Sequence, residues 1–384
     1  MQKDNRFSFF NLLQLSVYVL AALLPLEIIA LSLSDSNMVR VLNYGIFATG
    51  LLSVILSFVI DRVITKNDAL LIVQIFFLIC CVLLRQVGRE GIFSAIGYLL
   101  MLSVWFVGKR VQVTPRMRKF LWYVAIIQGL ILLAAYFGPN AYQSYQEYVL
   151  VSKELTLGFS NPNQTAIVLY ATIAILLTLR EDNASKIISF LSFFLIISLS
   201  YLLFLTDART TILCFFVTMA FFFLSKTRRN GLRKEYGWLV SLIVLFPIFF
   251  FVLYMYFFEM GQFSTAMLMG KKLFSGRQRV YNAALLNWTN MWMGNMESFS
   301  FSNTHNGYLT VLVNCGIIGF VLYLIYTMRE VKAINRRYYM ENRSPISVVV
   351  LLSFFIMAGA ESAILTGGTI YYIIMLLTVL LCNQ

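Results

Sequence analysis

Residues 237–258 read GWLVSLIVLFPIFFFVLYMYFF and carry no charged side chain. As an α-helix, this run extends about 33 Å at 1.5 Å per residue, which is enough to cross the roughly 30 Å hydrocarbon core of a bilayer. Similar runs recur along the chain, which is 60% hydrophobic and 12% charged, with a mean hydropathy of +0.78. This pattern excludes a soluble globular domain and predicts an all-α, polytopic membrane protein.

We predict twelve transmembrane helices, one in each apolar segment. The segments are residues 9–33, 41–60, 69–87, 91–108, 120–137, 163–179, 187–205, 209–225, 237–258, 305–328, 346–364 and 368–382. The first segment exceeds the apolar region of a signal peptide, so we expect it to be a retained helix. Residues 1–384 are therefore predicted to form a single integral membrane domain, with a large outer loop at residues 259–303 between the ninth and tenth helices.

The distribution of lysine and arginine predicts the orientation in the membrane. If the N-terminus is cytoplasmic, 21 of the 30 Lys and Arg residues fall on the cytoplasmic side, as the positive-inside rule requires. Both termini are then cytoplasmic. The remaining cations fall on the outer side, and they are Arg40, Arg85, Arg89, Lys153, Arg209, Lys271, Lys272, Arg277 and Arg279. Because topology does not require them there, they indicate an anionic ligand rather than a nucleic acid.

The large outer loop is predicted to contain an amphipathic helix that lies on the membrane surface. Its apolar residues recur at helical spacing, at Val280, Ala284, Trp288 and Met291. Ser275 and Gly276 make an anion-receptive helix start, and Arg277 and Arg279 supply forked hydrogen-bond donors. Binding of lipid headgroups by a basic surface helix is the alternative interpretation. Two further cations, Lys271 and Lys272, precede this helix.

His305 is the only histidine in the chain and opens a long apolar run. Ser302, Asn303 and Thr304 precede it, and all three are N-cap residue types, so a helix is predicted to begin here. The positive end of a helix favours bound anions and disfavours a protonated imidazole. A neutral His305 beside an anion could act as a general base. The alternative is a histidine that caps the helix or faces water.

Three other polar residues stand near the outer ends of apolar segments. Arg209 is electrostatically misplaced at a helix start, so we expect it to bind a phosphate, to pair with Asp207 or to extend to the membrane interface. Asp207 could itself cap the helix. Asn163 follows Pro162, and this pair suits a structural helix start as well as a hydrogen bond to a ligand. Glu361 is an acid at membrane depth, which normally has a partner or a function.

Several kinds of chemistry are excluded by missing motifs. The sequence contains no P-loop, no dinucleotide-binding glycine fingerprint and no GxSxG motif. The five cysteines lie in apolar runs without a CxxC pair, so neither a disulfide framework nor a metal site is predicted, and no cofactor is expected. Arginines together with one neutral histidine suit a phosphate leaving group and a hydroxyl acceptor.

These motifs resemble the O-antigen ligase and Wzy-type polysaccharide polymerase superfamily. The family pattern is His, then Asn, Ser or Gln, nine residues, Gly, two residues, and Gly, Thr or Tyr. His305 and Asn306 followed by Gly316 and Gly319 fit this pattern.

Further positions extend the resemblance over roughly residues 155–325. Ser275-Gly276-Arg277 is similar to the start of the family's large outer loop, and Trp288 and Gly294 follow at similar distances. Arg209 and Asn163 resemble family residues at the outer ends of earlier helices. Tyr281 is a departure, because the family often has tryptophan there.

The resemblance implies a metal-independent, inverting glycosyltransferase of the membrane-embedded GT-C type. Such enzymes use undecaprenyl-diphosphate-linked glycans at the outer face of the bacterial cytoplasmic membrane. Arg277 and Arg209 would hold the diphosphate and His305 would assist the attacking hydroxyl. The product would be O-antigen, capsule or exopolysaccharide, and the partners would be membrane lipid and the chain-length regulator and flippase of the same pathway.

Three alternatives to a polymerase remain open. An O-antigen ligase, which transfers the lipid-linked glycan to a lipid or protein acceptor, shares the same motifs; the compact chain and short loops favour a polymerase. A secondary transporter would also have about twelve helices, but the loop at Asp61-Arg62 lacks the glycines of the major-facilitator signature, and the 45-residue outer loop would be unexplained. A peptidoglycan polymerase of the shape-and-division family uses an outer-face acid that has no match here.

Overall fold

The computed structural model describes most of the chain. The described residues are 2–60, 64–84, 88–147, 150–179, 186–227, 237–259, 267–268, 271–272, 277–295, 304–341, 345–366 and 368–383. The side chains of Lys271 and Lys272 lie outside the described part of the chain. Ser275, Gly276, Ser302 and Asn303 lie outside these ranges entirely.

Helices make up nearly all of the described structure. They are α1 (Gln2–Ser32), α2 (Ser36–Ile60), α3 (Lys66–Leu84), α4 (Arg89–Arg110), α5 (Pro115–Tyr136), α6 (Pro162–Thr178), α7 (Lys186–Leu205), α8 (Arg209–Thr227), α9 (Gly237–Glu259), α10 (Arg277–Leu286), α11 (Gly307–Glu341), α12 (Pro345–Ala358), α13 (Ala363–Thr366) and α14 (Thr369–Cys382).

The predicted all-α, multi-pass membrane character is confirmed. Among the described residues, eight helices are long and apolar enough to cross a membrane. Four shorter apolar helices of 10–17 residues, at Pro162–Thr178, Arg209–Phe223, Ile346–Ala358 and Thr369–Cys382, occupy the other predicted segments. The number of crossings stays a prediction.

Two short β-hairpins that the sequence analysis did not predict lie between helices, one between α5 and α6 and one between α9 and α10. Strands β1 (Tyr142–Glu147) and β2 (Leu150–Leu155) pair antiparallel, with Tyr142 opposite Leu155. Tyrosine, valine and leucine fit such a pleated hairpin. Strands β3 (Met267–Leu268) and β4 (Lys271–Lys272) form a second, minimal hairpin in the large outer loop.

The last helices differ from their predicted bounds. Helix α11 continues beyond residue 328 to Glu341, because Val331 and Ile334 remain on a buried face while Lys332 and Arg336 are exposed. The predicted segment 346–364 is instead interrupted, since α12 ends at Ala358 and α13 begins at Ala363.

The described residues form two compact units. The first comprises residues within 1–60, 107–224 and 376–384, and in it α1 packs on α2 and α5, while α6 packs on α5 and α7. The second comprises residues within 61–106 and 225–375, and in it α11 packs on α3, α9, α12 and α13. The prediction of a single membrane domain stays a prediction.

Candidate functional site

Helix α10 lies within residues 259–303, where an amphipathic helix was predicted, but it ends earlier and has other neighbours than the prediction gave it. It stops at Leu286, so Trp288 and Met291 follow it rather than extend its apolar face. Tyr281 and Ala284 are completely buried against Tyr254 of α9 and against Leu309 and Val313 of α11. The apolar face of α10 therefore packs on α9 and α11. The sequence analysis had instead predicted that this face lies on the membrane surface.

Arg277 is held at the first position of α10 through its backbone. Its N–H donates to the Tyr254 hydroxyl at 3.1 Å, which satisfies one of the four amides that a helix start leaves without a partner. One turn later the Tyr281 ring packs edge-on against Tyr254, with 5.4 Å between ring centroids, and against Phe251 at 5.3 Å. These contacts fix the start of α10 on α9, while the Arg277 side chain is only half-buried.

Helix α11 begins two residues later than predicted, and Asn306 is its N-cap. The Asn306 Oδ1 accepts hydrogen bonds from the N–H groups of Tyr308 and Leu309, both at 3.0 Å. Thr304, one of the predicted caps, instead closes a turn around His305: its Oγ1 accepts from the Asn306 N–H at 3.3 Å and bonds to Thr310 Oγ1. The cap differs from the prediction because the chain makes this extra turn before the helix.

His305 lies at the centre of that turn, outside the apolar helix. Its φ of +51° is a left-handed conformation that few residues other than glycine adopt. Burial, and secondarily the charge of Arg277, lower the pKa of His305 to about 4. The imidazole is therefore neutral at neutral pH, as predicted, but burial and Arg277 are the causes rather than the helix dipole.

Arg277 also influences Tyr281, so the three side chains form one cluster. Burial raises the pKa of the Tyr281 hydroxyl, and the positive charge of Arg277 partly opposes this effect. Both influences of Arg277 require its guanidinium to lie near Tyr281 and His305, because charge interactions weaken with distance. The structure thus places the Arg277 guanidinium near both Tyr281 and His305; their role in a substrate site stays a prediction.

A proline in α9 anchors the start of α11. Pro247 lies inside α9 and has no N–H, so the carbonyl four residues earlier loses its usual helix donor and the helix bonds of this turn are disturbed. The Asn306 Nδ2 donates to the Pro247 carbonyl at 3.0 Å, and the Tyr308 hydroxyl donates to the Val244 carbonyl at 2.6 Å. Asn306 therefore caps α11 with its oxygen and ties it to α9 with its nitrogen.

This double role predicts different effects for two substitutions. Asn306→Asp keeps an equally good N-cap oxygen but loses the donor to Pro247, so the free energy of unfolding should fall by about 1–3 kcal/mol. Asn306→Ala loses both roles and should be less stable still. Thermal unfolding of the purified protein in detergent, followed by tryptophan fluorescence, measures both; an aspartate variant as stable as the wild type would contradict the tie to α9.

Gly316 interrupts α11, and the segment after α10 fills the interruption. Gly316 has φ 65° and ψ −175°, which no other residue type adopts readily. The Val313 carbonyl accepts from Asn295 N–H at 2.8 Å, and Ile317 N–H donates to the Met291 carbonyl at 2.9 Å. The backbone of residues 291–295 thus replaces helix bonds that the kink breaks.

The contact at this kink is too close for any side chain. A Cβ on Gly316 would lie 2.3 Å from the Trp292 carbonyl carbon, and a Cβ on Gly294 would lie 2.2 Å from that of Asn314. Gly319 faces α3, where a Cβ would lie 2.9 Å from a ring carbon of Phe77. In this chain, the two glycines that follow His305 in the motif therefore serve packing.

Residues 287–295 are held in shape by asparagine side chains. The Asn295 Oδ1 accepts from the Thr289 N–H at 2.9 Å, and its Nδ2 donates to the Asn287 carbonyl. The Asn290 Oδ1 accepts from the Met293 N–H at 2.9 Å. Trp288, in the same segment, packs its ring against the cluster around Tyr254 and Tyr281.

Sequence reasoning missed several residues that position the site. They are Pro247, Tyr254, Asn295 and Tyr308. Pro247 carried a signal, because a proline within an apolar run marks a helix whose carbonyls need other donors. The other three offered no local signal, since tyrosine and asparagine near a membrane surface are common.

Arg209 and Asn163 belong to the other compact unit. Helix α8 begins at Arg209 as predicted, and Asp207 precedes it with a φ of +53°. At α6, Pro162 occupies the first helical position as predicted, but Asn161 is the cap, because its Oδ1 accepts from Asn163 N–H at 2.7 Å. The involvement of Arg209 and Asn163 in one site with Arg277 stays a prediction.

Glu361 lies in the same unit as Arg277 and His305. It is buried at the break between α12 and α13, and its N–H donates to the Met357 carbonyl at 2.9 Å. Helix α13 packs on α11, where the Leu365 side chain lies 3.0 Å from the position of a Cβ on Gly307. Arg279 is exposed on α10, so a role in substrate binding stays a prediction for both residues.

The cluster can bind an anion and accept a proton. Arg277 offers a cation, His305 a neutral imidazole and Tyr281 a buried hydroxyl, all on or beside the first turns of α10 and α11. Such a set suits a reaction in which negative charge develops on one group while a hydroxyl loses its proton. Comparison of the chain with protein-family models, with curated proteins and with solved structures finds no match.

Proposed function

We propose that the protein polymerises undecaprenyl-diphosphate-linked oligosaccharide repeat units into surface polysaccharide. The observation that carries this proposal is the neutral, buried His305 beside Arg277. The order of the motifs along the chain and the membrane character of the helices support it. In this proposal all twelve apolar helices cross the bacterial cytoplasmic membrane in a GT-C-type arrangement, and the site opens to the outer face.

The proposed reaction is a single inverting displacement. A hydroxyl oxygen of the acceptor glycan attacks the anomeric carbon of the donor glycan from the side opposite the diphosphate. As the new carbon–oxygen bond forms, the bond to the diphosphate breaks, and its electron pair leaves with undecaprenyl diphosphate. The hydroxyl proton goes to His305, whose ring is unprotonated at neutral pH.

Arg277 would stabilise the leaving group. Negative charge grows on the diphosphate as the bond breaks, and a guanidinium already in place lowers the energy of that state more than it lowers the energy of the bound substrate. Arg277 is suited to this role because its backbone is fixed by Tyr254.

Deletion of the gene tests the proposal. We expect electrophoresis of surface glycans from the deletion strain to show carriers with a single repeat unit, and plasmid-borne wild-type protein to restore long chains. Unattached long polymer on the lipid carrier would identify a ligase instead. Unchanged surface glycans would contradict both assignments and favour a transporter.

A further inference from the structure

A cleft of about 440 Å³ lies where the end of α1 meets the start of α2. On this side it is lined by Leu31, Ser34, Ser36, Val39, Arg40 and Asn43. Its volume is within the roughly 300–1,000 Å³ that is typical of small-molecule sites in proteins. Every lining residue belongs to the first compact unit, so the cleft shares no residue with the cluster of Arg277 and His305.

The corner between α1 and α2 gives the cleft a fixed floor. The Ser34 N–H donates to the Leu31 carbonyl at 2.9 Å, and the Asp35 N–H donates to the Ala30 carbonyl at 3.0 Å. This pair of bonds is a common way to end a helix. The Asp35 Oδ1 then caps α2 by accepting from the Met38 N–H at 3.0 Å. These bonds hold Ser34 and the first turn of α2 in place.

Gly158 forms the opposite wall of the cleft. It has a φ of +88°, and a Cβ there would lie 2.4 Å from the Leu31 carbonyl oxygen. The chain at Gly158 therefore passes directly against the end of α1. The Asn140 Nδ2 donates to the Ser32 carbonyl at 2.9 Å, which ties the segment before β1 to the same helix end.

Arg40 brings a positive charge to the cleft. Side chains on a helix tilt toward its N-terminus, so the guanidinium extends toward the positive end of α2, where a cation is not favoured. Asp35 is the nearest acid in sequence, but its carboxylate caps the helix and, within the described residues, forms no ion pair with Arg40. Together with the hydroxyls of Ser34 and Ser36, Arg40 suits an anion with several acceptor oxygens.

Helix α2 exposes an apolar stripe that begins beside Arg40. The stripe consists of large side chains with exposed fractions between 41% and 69%, and they are Val41, Tyr44, Leu52, Ile55 and Val59. At 3.6 residues per turn, these positions share one face of the helix. Arg40 lies between this face and the face that carries Ser36, Val39 and Asn43. A ligand at Arg40 can therefore place a polar group in the cleft and an apolar group along α2.

We propose that the cleft binds the headgroup of an anionic phospholipid, with the phosphate on Arg40 and the acyl chains along the exposed stripe of α2. The chemistry recognised is that of glycerol phosphate, whose oxygens would bond Arg40, Ser34 and Ser36. A lipid fits better than a soluble anion, because only a lipid also covers the stripe. The predicted orientation places this end of α1 and α2 in the outer leaflet. The inference does not depend on the proposed function.

Photochemical labelling tests the inference at the site itself. The full-length protein is reconstituted in phosphatidylcholine vesicles that contain a small fraction of phosphatidylglycerol with a diazirine near its headgroup. After illumination, peptide mass spectrometry measures the label on each segment. We expect strong labelling of residues 31–44. The exposed side chains of Ile187, Phe190 and Phe193 on α7 provide the reference for unspecific contact with lipid.

Two variants of Arg40 and one control separate binding in the cleft from general attraction to the membrane. Arg40→Gln removes a charge-assisted hydrogen bond and should lower the labelling of residues 31–44 relative to α7 by about tenfold, which corresponds to about 1.4 kcal/mol. Arg40→Lys keeps the charge and should retain part of the labelling. Arg336→Gln removes an exposed cation from α11 and should behave as the wild type. A monodisperse elution profile shows that each variant is folded.

Competition distinguishes the lipid from its headgroup alone. We expect unlabelled phosphatidylglycerol to displace the photoreactive lipid from residues 31–44, and soluble glycerol 3-phosphate at the same concentration to leave it bound. Displacement by glycerol 3-phosphate to the same extent would overturn the assignment to a lipid. Equal labelling of residues 31–44 by photoreactive phosphatidylcholine, or wild-type labelling in Arg40→Gln, would show that Arg40 selects no anion and would also overturn it.

Discussion

Replacement of Arg277 with alanine is expected to abolish polymer formation while the protein remains in the membrane in normal amounts. The loss should be at least about 100-fold, because a positioned group that stabilises a developing oxyanion contributes this much or more. The fold should survive, since the ring packing of Tyr281, the burial of Ala284 and the backbone hydrogen bond of Arg277 do not involve the guanidinium. Immunoblots of membranes and electrophoresis of surface glycans measure the two effects together.

Matched variants make this result specific. Arg336→Ala removes an exposed cation from α11 and should leave the polymer unchanged, and Lys271→Ala should have a milder effect than Arg277→Ala. Long-chain polymer at the wild-type level in cells that contain normal amounts of Arg277→Ala would contradict the assignment. Complete loss in Lys271→Ala would mean that the phosphate site is elsewhere.

Gly316→Ala is expected to destabilise the protein strongly. The backbone at Gly316 has a conformation that costs other residues about 1–3 kcal/mol. The added methyl would also lie 2.3 Å from the Trp292 backbone, and such overpacking typically costs a further 1–3 kcal/mol. Because backbone atoms cannot rotate away, residues 291–295 would have to separate from α11. Thermal unfolding in detergent should show a clear fall in the midpoint.

A glycine in open space provides the control for this substitution. Gly45 lies inside α2, and a Cβ there would meet no atom within 4 Å. Gly45→Ala should therefore leave the unfolding midpoint unchanged or raise it, because alanine favours a helix over glycine. If Gly316→Ala unfolded at the same temperature as Gly45→Ala, the close contact between α11 and residues 291–295 would be wrong.

The helices could be predicted from the sequence because their signal is local. An apolar run such as residues 237–258 predicts a helix without information from the rest of the chain, and α9 spans Gly237–Glu259 in the structure. Helix ends were less predictable where other interactions compete with hydropathy. Asn306 caps α11 in place of Ser302 or Asn303, and Val331 and Ile334 extend that helix beyond its apolar part.

The residues of the candidate site could be singled out from the sequence, but the residues that position them could not. Arg277 and His305 were found because isolated charges and a single histidine are conspicuous in an apolar chain. The contacts that position them join distant parts of the sequence, as Tyr254 does with Arg277 and Pro247 with Asn306. Hydrophobic periodicity contains no information on such pairs. It also could not show that α10 buries Tyr281 between α9 and α11.

The central claim is tested most directly with purified protein and a lipid-linked glycan. The wild type and His305→Gln are each reconstituted in lipid vesicles with the undecaprenyl-diphosphate-linked repeat unit that accumulates in the deletion strain. We predict that the wild type converts the repeat unit into a ladder of longer glycans and that His305→Gln forms none. A ladder of equal length and amount from His305→Gln, or no ladder from the wild type, would contradict the account.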